Sequence, residues 1–153
     1  MHIHRSRGFT LIELLVVIAI IGVLSAVVLA SLNTARSKGN DAAIQSDLST
    51  VRTEAEIFYG GTGANSYGST FPALSSCTTA STMFMLSTAI KSAIAGAESV
   101  NGTSNMVCNG TATAYAVSSP LSSDSTKFWC VDSTGFAGQR VTALGSNTAC
   151  PAT

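Results

Sequence analysis

Residues 9–32, "FTLIELLVVIAIIGVLSAVVLASL", hold one ionisable side chain, Glu13, in 24 positions. Wound as a helix at about 1.5 Å per residue, the run is about 36 Å long, enough to cross a hydrocarbon layer roughly 30 Å thick. A helix apolar on every side needs lipid or a large protein core around it, and a chain of 153 residues offers little room for such a core. The plan is therefore a membrane segment followed by one modest domain. Arg5 and Arg7 precede the run, and the bias of basic residues toward the cytoplasmic side predicts the N-terminus inside and the rest of the chain outside. A carboxylate in hydrocarbon is costly unless paired, so Glu13 marks a functional position.

Two processing schemes fit this end of the chain. A secretory signal would be cut after the apolar run, where Ala26, Ala30 and Ala35 supply small residues. That scheme leaves Glu13 without a role. A cut at the Gly8–Phe9 junction, where glycine has no side chain to obstruct a protease, retains the whole helix.

The stretch "RGFTLIELLVVIAIIGVL", residues 7–24, resembles the N-terminal signature of type IV pilins and of the pseudopilins of type II secretion. The resemblance implies cleavage after Gly8 by a membrane prepilin peptidase, N-methylation of Phe9, and a requirement for Glu13 in filament assembly. It implies a homo-oligomeric filament joined through the N-terminal helix, a pilus or secretion assembly platform as partner, inner-membrane lipid around the unassembled subunit, and no cofactor. Localisation would be single-pass in the cytoplasmic membrane before assembly, and a surface pilus or envelope-spanning pseudopilus after it. Elementary chemistry agrees with the resemblance. Cleavage would create an amine on Phe9 with a pKa near ~8, largely cationic at neutral pH. Glu13, four residues on, lies on the same side of the helix. A second helix docked with an axial offset would bring its amine to an older subunit's carboxylate, and both charges would lose much of their desolvation penalty; the alternative is a carboxylate that snorkels to the interface or pairs within its own chain.

Beyond the apolar run, Ile44, Leu48, Val51, Ala55 and Phe58 recur at three- and four-residue steps, which predicts an amphipathic continuation of the helix. Gly60, Gly61 and Gly63 supply its stop, and the first proline is Pro72. Residues 60–82 read as loop. "MFMLSTAIKSAIAGAESV", residues 83–100, predicts a shorter helix with Leu86, Ile90, Ala93, Ile94 and Ala97 on one face. Strands are expected at 113–121, 127–132 and 136–144, with a tight turn at "DSTG", 132–135. The expected class is α+β: a long N-terminal helix, a loop, a short helix and a small antiparallel sheet. The expected divisions are a leader at 1–8, a transmembrane and assembly helix at 9–32, its amphipathic continuation at 33–59 and an extracytoplasmic head at 60–153.

Cysteines stand at 77, 108, 130 and 150, all on the side expected outside the cytoplasm and without CxxC spacing. Four cysteines allow three pairings. Cys77 with Cys108 and Cys130 with Cys150 is expected, since each closes a local loop around a weakly hydrophobic region. No catalytic or metal-binding set is expected. His2 and His4 lie in the leader. Asp124 and Asp132 suggest calcium as one reading and turn residues as the other. The sequons at Asn101 and Asn109 are expected by chance in this composition. Trp129 and Phe128 are expected to fill the small core.

Lysine plus arginine equals aspartate plus glutamate, eight each. A nucleic-acid surface shows clustered basic residues, and Lys91, Lys127 and Arg140 are thin material for one, so a nucleic-acid partner is not expected. Two alternatives to a pilus or pseudopilus subunit stay open. One is a competence-type pilin that contacts DNA, which requires a basic stripe on the head. The other is a membrane-anchored extracytoplasmic enzyme, which requires a nucleophile–base or metal constellation.

Overall fold

The computed structural model describes residues 8–68, 77, 78, 80–101 and 105–152. The leader residues Arg5, Arg7, His2 and His4, and much of the expected loop (69–76 and 79), lie outside the described residues. Helix α1, Leu11–Gly60, runs unbroken for 50 residues. By contacts the chain divides at Arg36 and Ser37 into two units.

In the first unit every described side chain is exposed. The large apolar ones include Phe9 at 82% and Leu32 at 62% exposure. This end of α1 is long and apolar enough to cross a membrane, and none of its most apolar window is buried within the protein. It is therefore not the core helix of a soluble fold.

The second unit is built on the amphipathic part of α1. Ile44, Leu48, Val51, Ala55 and Phe58 are buried, on the stripe read from their spacing. The helix stops where the N–H groups of Gly61 and Gly63 both turn back to the Phe58 carbonyl. The expected second helix is broken in two. Helix α2, Met83–Leu86, ends at Ser87, whose backbone is extended, and α3 runs Thr88–Asn101. The break changes the helical phase, so Leu86 falls off the expected buried face and is 62% exposed, while Met83 and Phe84 are buried in its place. Ile90, Ala93, Ile94 and Ala97 keep their expected burial on α3.

Four strands form an antiparallel meander: β1 Val107–Gly110, β2 Tyr115–Pro120, β3 Phe128–Asp132 and β4 Ala137–Arg140. Three were expected. β1, "VCNG", holds two residues of low strand propensity in four and is a strand because β2 pairs with it, Cys108 opposite Val117. Side chains alternate across the sheet. Tyr115, Val117 and Val131 join α1 and α3 in the main core, with the partly buried Trp129 packed against it. Ala116 and Cys130 point to the other face, where Leu144 of the C-terminal segment covers them.

Buried polar side chains tie these layers together. Asp41 on α1, 8% exposed, accepts the N–H of Ser122 at 2.6 Å, the N–H of Ser123 at 3.2 Å and the Ser123 hydroxyl. Asn40 donates to the Val100 carbonyl at 3.3 Å. Removing a buried charged acceptor leaves its donors unsatisfied, so Asp41→Ala is expected to lower head stability by about 2 to 3 kcal/mol. The check is the thermal midpoint by circular dichroism; an unchanged midpoint would show that the 121–127 loop is held without Asp41.

A second carboxylate on α1 works against stability. A Cβ built on Gly96 of α3 would lie 2.7 Å from Asp47 Oδ2, so α3 packs closely against that carboxylate. The approach strips water from Asp47 and raises its pKa above the ordinary value. With the folded pKa above the unfolded one, the folded state binds more protons in that window, and stability falls as pH rises through it. Asp47→Asn is therefore expected to raise the midpoint at neutral pH, with the gain over the parent vanishing below the ordinary carboxylate range. A gap that persists at low pH would contradict desolvation as the cause.

Candidate functional site

Gly8, Phe9 and Thr10 precede the first turn of α1 in non-helical conformation and are exposed. Space around Gly8 is open, with nothing within 4 Å of where a Cβ would stand. The helix starts on a reciprocal cap between Thr10 and Glu13. The Thr10 N–H and hydroxyl donate to Glu13 Oε2 at 2.8 and 2.7 Å, and the Glu13 N–H donates to Thr10 Oγ1 at 3.3 Å. This is the T-x-x-E capping box, which satisfies backbone donors that the first turn leaves orphaned. Glu13 Oε1 has no partner among the described residues. The same end carries a shallow groove of about 410 Å³ lined by Phe9, Ile12, Glu13, Val16 and Val17, apolar except for the one carboxylate.

Gly8, Phe9 and Glu13 thus share the first turn and its approach. Thr10 was missed from sequence, although "TLIE" carries the capping signal. Its local effect is to fix the Glu13 carboxylate at the helix start, one oxygen bonded to Thr10 and the other without a partner among the described residues.

The remaining candidate residues all lie in the head. Cys77 bonds to Cys108 and Cys130 to Cys150, with Cα separations of 5.1 and 5.9 Å. Asp124 Oδ1 accepts the Thr126 N–H and hydroxyl, and its Oδ2 lies 3.2 Å from Lys127 Nζ. Asp132, 2% exposed, accepts from Thr134 and Phe136 on Oδ1 and from the Cys150 N–H on Oδ2. Burial raises its pKa, but these bonds together outweigh burial and hold it below the ordinary value. Both aspartates are thus committed to loop bonds, and no group of three or more potential metal-ligating side chains occurs among the described residues.

Both sequon asparagines have hydrogen-bonded amides. Asn109 is fully buried and donates to the carbonyls of Gly145 at 2.8 Å and Asn147 at 2.7 Å. Asn101 donates to Ser119 Oγ at 3.0 Å. Lys91, Lys127 and Arg140 form no stripe: Lys127 pairs with Asp124, and the Arg140 guanidinium lies 3.8 Å over the Phe136 ring.

Comparison with known proteins agrees with this geometry. Residues 3–29 match the family model of the prokaryotic N-terminal methylation motif. Over 54 residues, 35% of the chain, the sequence is 43% identical to the type IV wide pilus major component PilA4 of Thermus thermophilus. The match spans 41% of that relative's length. No solved structure gives a significant match. The relative is a type IV pilus component, and the matched motif spans the Gly8–Phe9 junction and most of the apolar run. The succession of a long apolar helix, shorter helices and a four-stranded antiparallel sheet is an α+β, pilin-like layout.

Proposed function

We propose that the chain is a filament-forming subunit of a type IV pilus, cut between Gly8 and Phe9 by a prepilin peptidase, N-methylated on Phe9, and assembled through its N-terminal helix. The observation that carries this reading is the first turn of α1. An exposed apolar helix presents one carboxylate, held by Thr10 through Oε2 and with Oε1 unpartnered among the described residues, four residues from the amine that cleavage would create. A neighbour's Phe9 ammonium can bond to Oε1 without breaking the cap. Charge-assisted bonds of this kind are roughly twice as strong as neutral ones.

The pilus reading is preferred to a secretion pseudopilus because the matched relative is described as a pilus component. In this reading the subunit waits in the cytoplasmic membrane with its N-terminus inside and its head outside. An assembly platform then extracts it into the filament. Its role is structural, not enzymatic, and no feature among the described residues of the head favours the DNA-binding alternative.

Immunoelectron microscopy with an antibody to the head tests the proposal in the cells that express the chain. Label along surface filaments is the expected result. Label confined to the envelope, with protein secretion lost when the gene is deleted, would move the assignment to a pseudopilus.

A further inference from the structure

The outer face of the sheet is covered by residues 141–152, which form no regular element. Three sets of contacts hold them. Leu144, 1% exposed, packs on Ala116 and Cys130. Asn109 of β1 reaches out with both amide hydrogens to the carbonyls of Gly145 and Asn147. Cys150 is tied to β3 twice, through the disulfide to Cys130 and through its N–H to Asp132 Oδ2 at 2.7 Å.

These contacts stand apart from the main core. Among the described residues, those packed between α1, α3 and the inner sheet face include none from 141–152. No described hydrogen bond joins that segment to α1, α2 or α3. The other disulfide, Cys77–Cys108, serves the main core, in which both its cysteines are buried. The two disulfides thus belong to two separable layers of one head.

We infer that residues 141–152 are a redox-gated strap that opens as a unit of its own: the Cys130–Cys150 bond keeps it closed, Asn109 sets its register, and its release uncovers the outer sheet face while the rest of the head stays folded. Local opening below the global unfolding threshold occurs in contiguous segments with few buried apolar contacts. This one contributes a single well-buried apolar side chain, Leu144, besides its cysteine. Opening by a dithiol reductant is balanced. The reductant's thiolate attacks the S–S bond, Cys130 and Cys150 take up two electrons and two protons as thiols, and the dithiol leaves as its own disulfide. A reducing compartment would thus hold the strap open, and an oxidising one would close it.

Hydrogen exchange read by mass spectrometry, on the full chain in detergent micelles, tests the inference. The first variant is Cys130→Ser/Cys150→Ser, which leaves Cys77–Cys108 in place. Peptides covering 141–150 are expected to exchange roughly tenfold faster or more, with those covering β2 and α3 changed by less than about threefold. The second variant, Asn109→Asp, keeps the disulfide but turns a donor into a carboxylate facing two carbonyls. It is expected to speed exchange at 144–147 while residue 150 stays held. Protection lost together across strap, β2 and α3, including outright failure of the cysteine variant to fold, would show that the strap is not a separate unit. Unchanged exchange at 141–150 in the cysteine variant would show that the disulfide does not close it.

Discussion

Glu13→Ala is expected to insert in the membrane, to be cut and methylated normally, and to form no long filaments. Removing one partner of a buried ion pair costs about 3 to 5 kcal/mol, and the loss recurs at every added subunit. The low end already weakens each addition more than about a hundredfold, since about 1.4 kcal/mol is a factor of ten. The alanine change also removes the Thr10 cap, which contributes on the order of 1 kcal/mol. Glu13→Gln separates the two effects. Its amide oxygen still accepts from the Thr10 N–H, so the helix start is kept, but it carries no charge to meet an ammonium. An intermediate filament yield is expected for Gln and none for Ala, both with processed monomer accumulating in the membrane fraction. Electron microscopy beside immunoblots of that fraction gives the readout. Full filament yield from both variants would leave Glu13 only its capping role.

Gly8→Asp is expected to abolish processing, leaving residues 1–8 on essentially every copy. The space around Gly8 is open, so a side chain there meets nothing close among the described residues. A block would therefore report on recognition by the protease rather than on folding. Uncut subunits keep Arg5 and Arg7 next to the apolar run and have no amine at Phe9, so they cannot enter the filament. Intact-mass analysis of the membrane fraction separates cut from uncut chains. Efficient cutting of Gly8→Asp would place the processing site elsewhere.

What the sequence revealed and what it hid divide along physical lines. The buried stripe from Ile44 to Phe58 was legible because burial on a single long helix follows its 3.6-residue period, and nothing interrupts the count. The same reasoning failed at Leu86, since one extended residue, Ser87, ends α2 and changes the phase while the composition on either side still looks helical. β1 was invisible because Asn and Gly make up half of "VCNG" and are poor strand formers; its pairing with β2 supplies the order, and such long-range partners leave no local mark. The polar anchors were hidden for a related reason. Asp41, Asn109 and Asp132 each bind a backbone segment at least 18 residues away in sequence, at Ser122, Gly145 and Cys150. By sequence alone Asn109 reads as a chance sequon and Asp132 as a turn residue, which in part it is. The Thr10–Glu13 cap was legible in principle, for its signal is local. The cost of a charge in an apolar run drew attention to Glu13 alone, away from the neighbour that holds it.

The central claim is that this chain enters a filament as a cut and methylated subunit. Intact-mass spectrometry of filaments sheared from cells and dissociated in detergent tests it most directly. The expected mass is that of a chain beginning at Phe9, carrying one added methyl group and both disulfides. A filament-borne chain that retains residues 1–8, or filaments from which the chain is missing while it persists in the membrane, would contradict it.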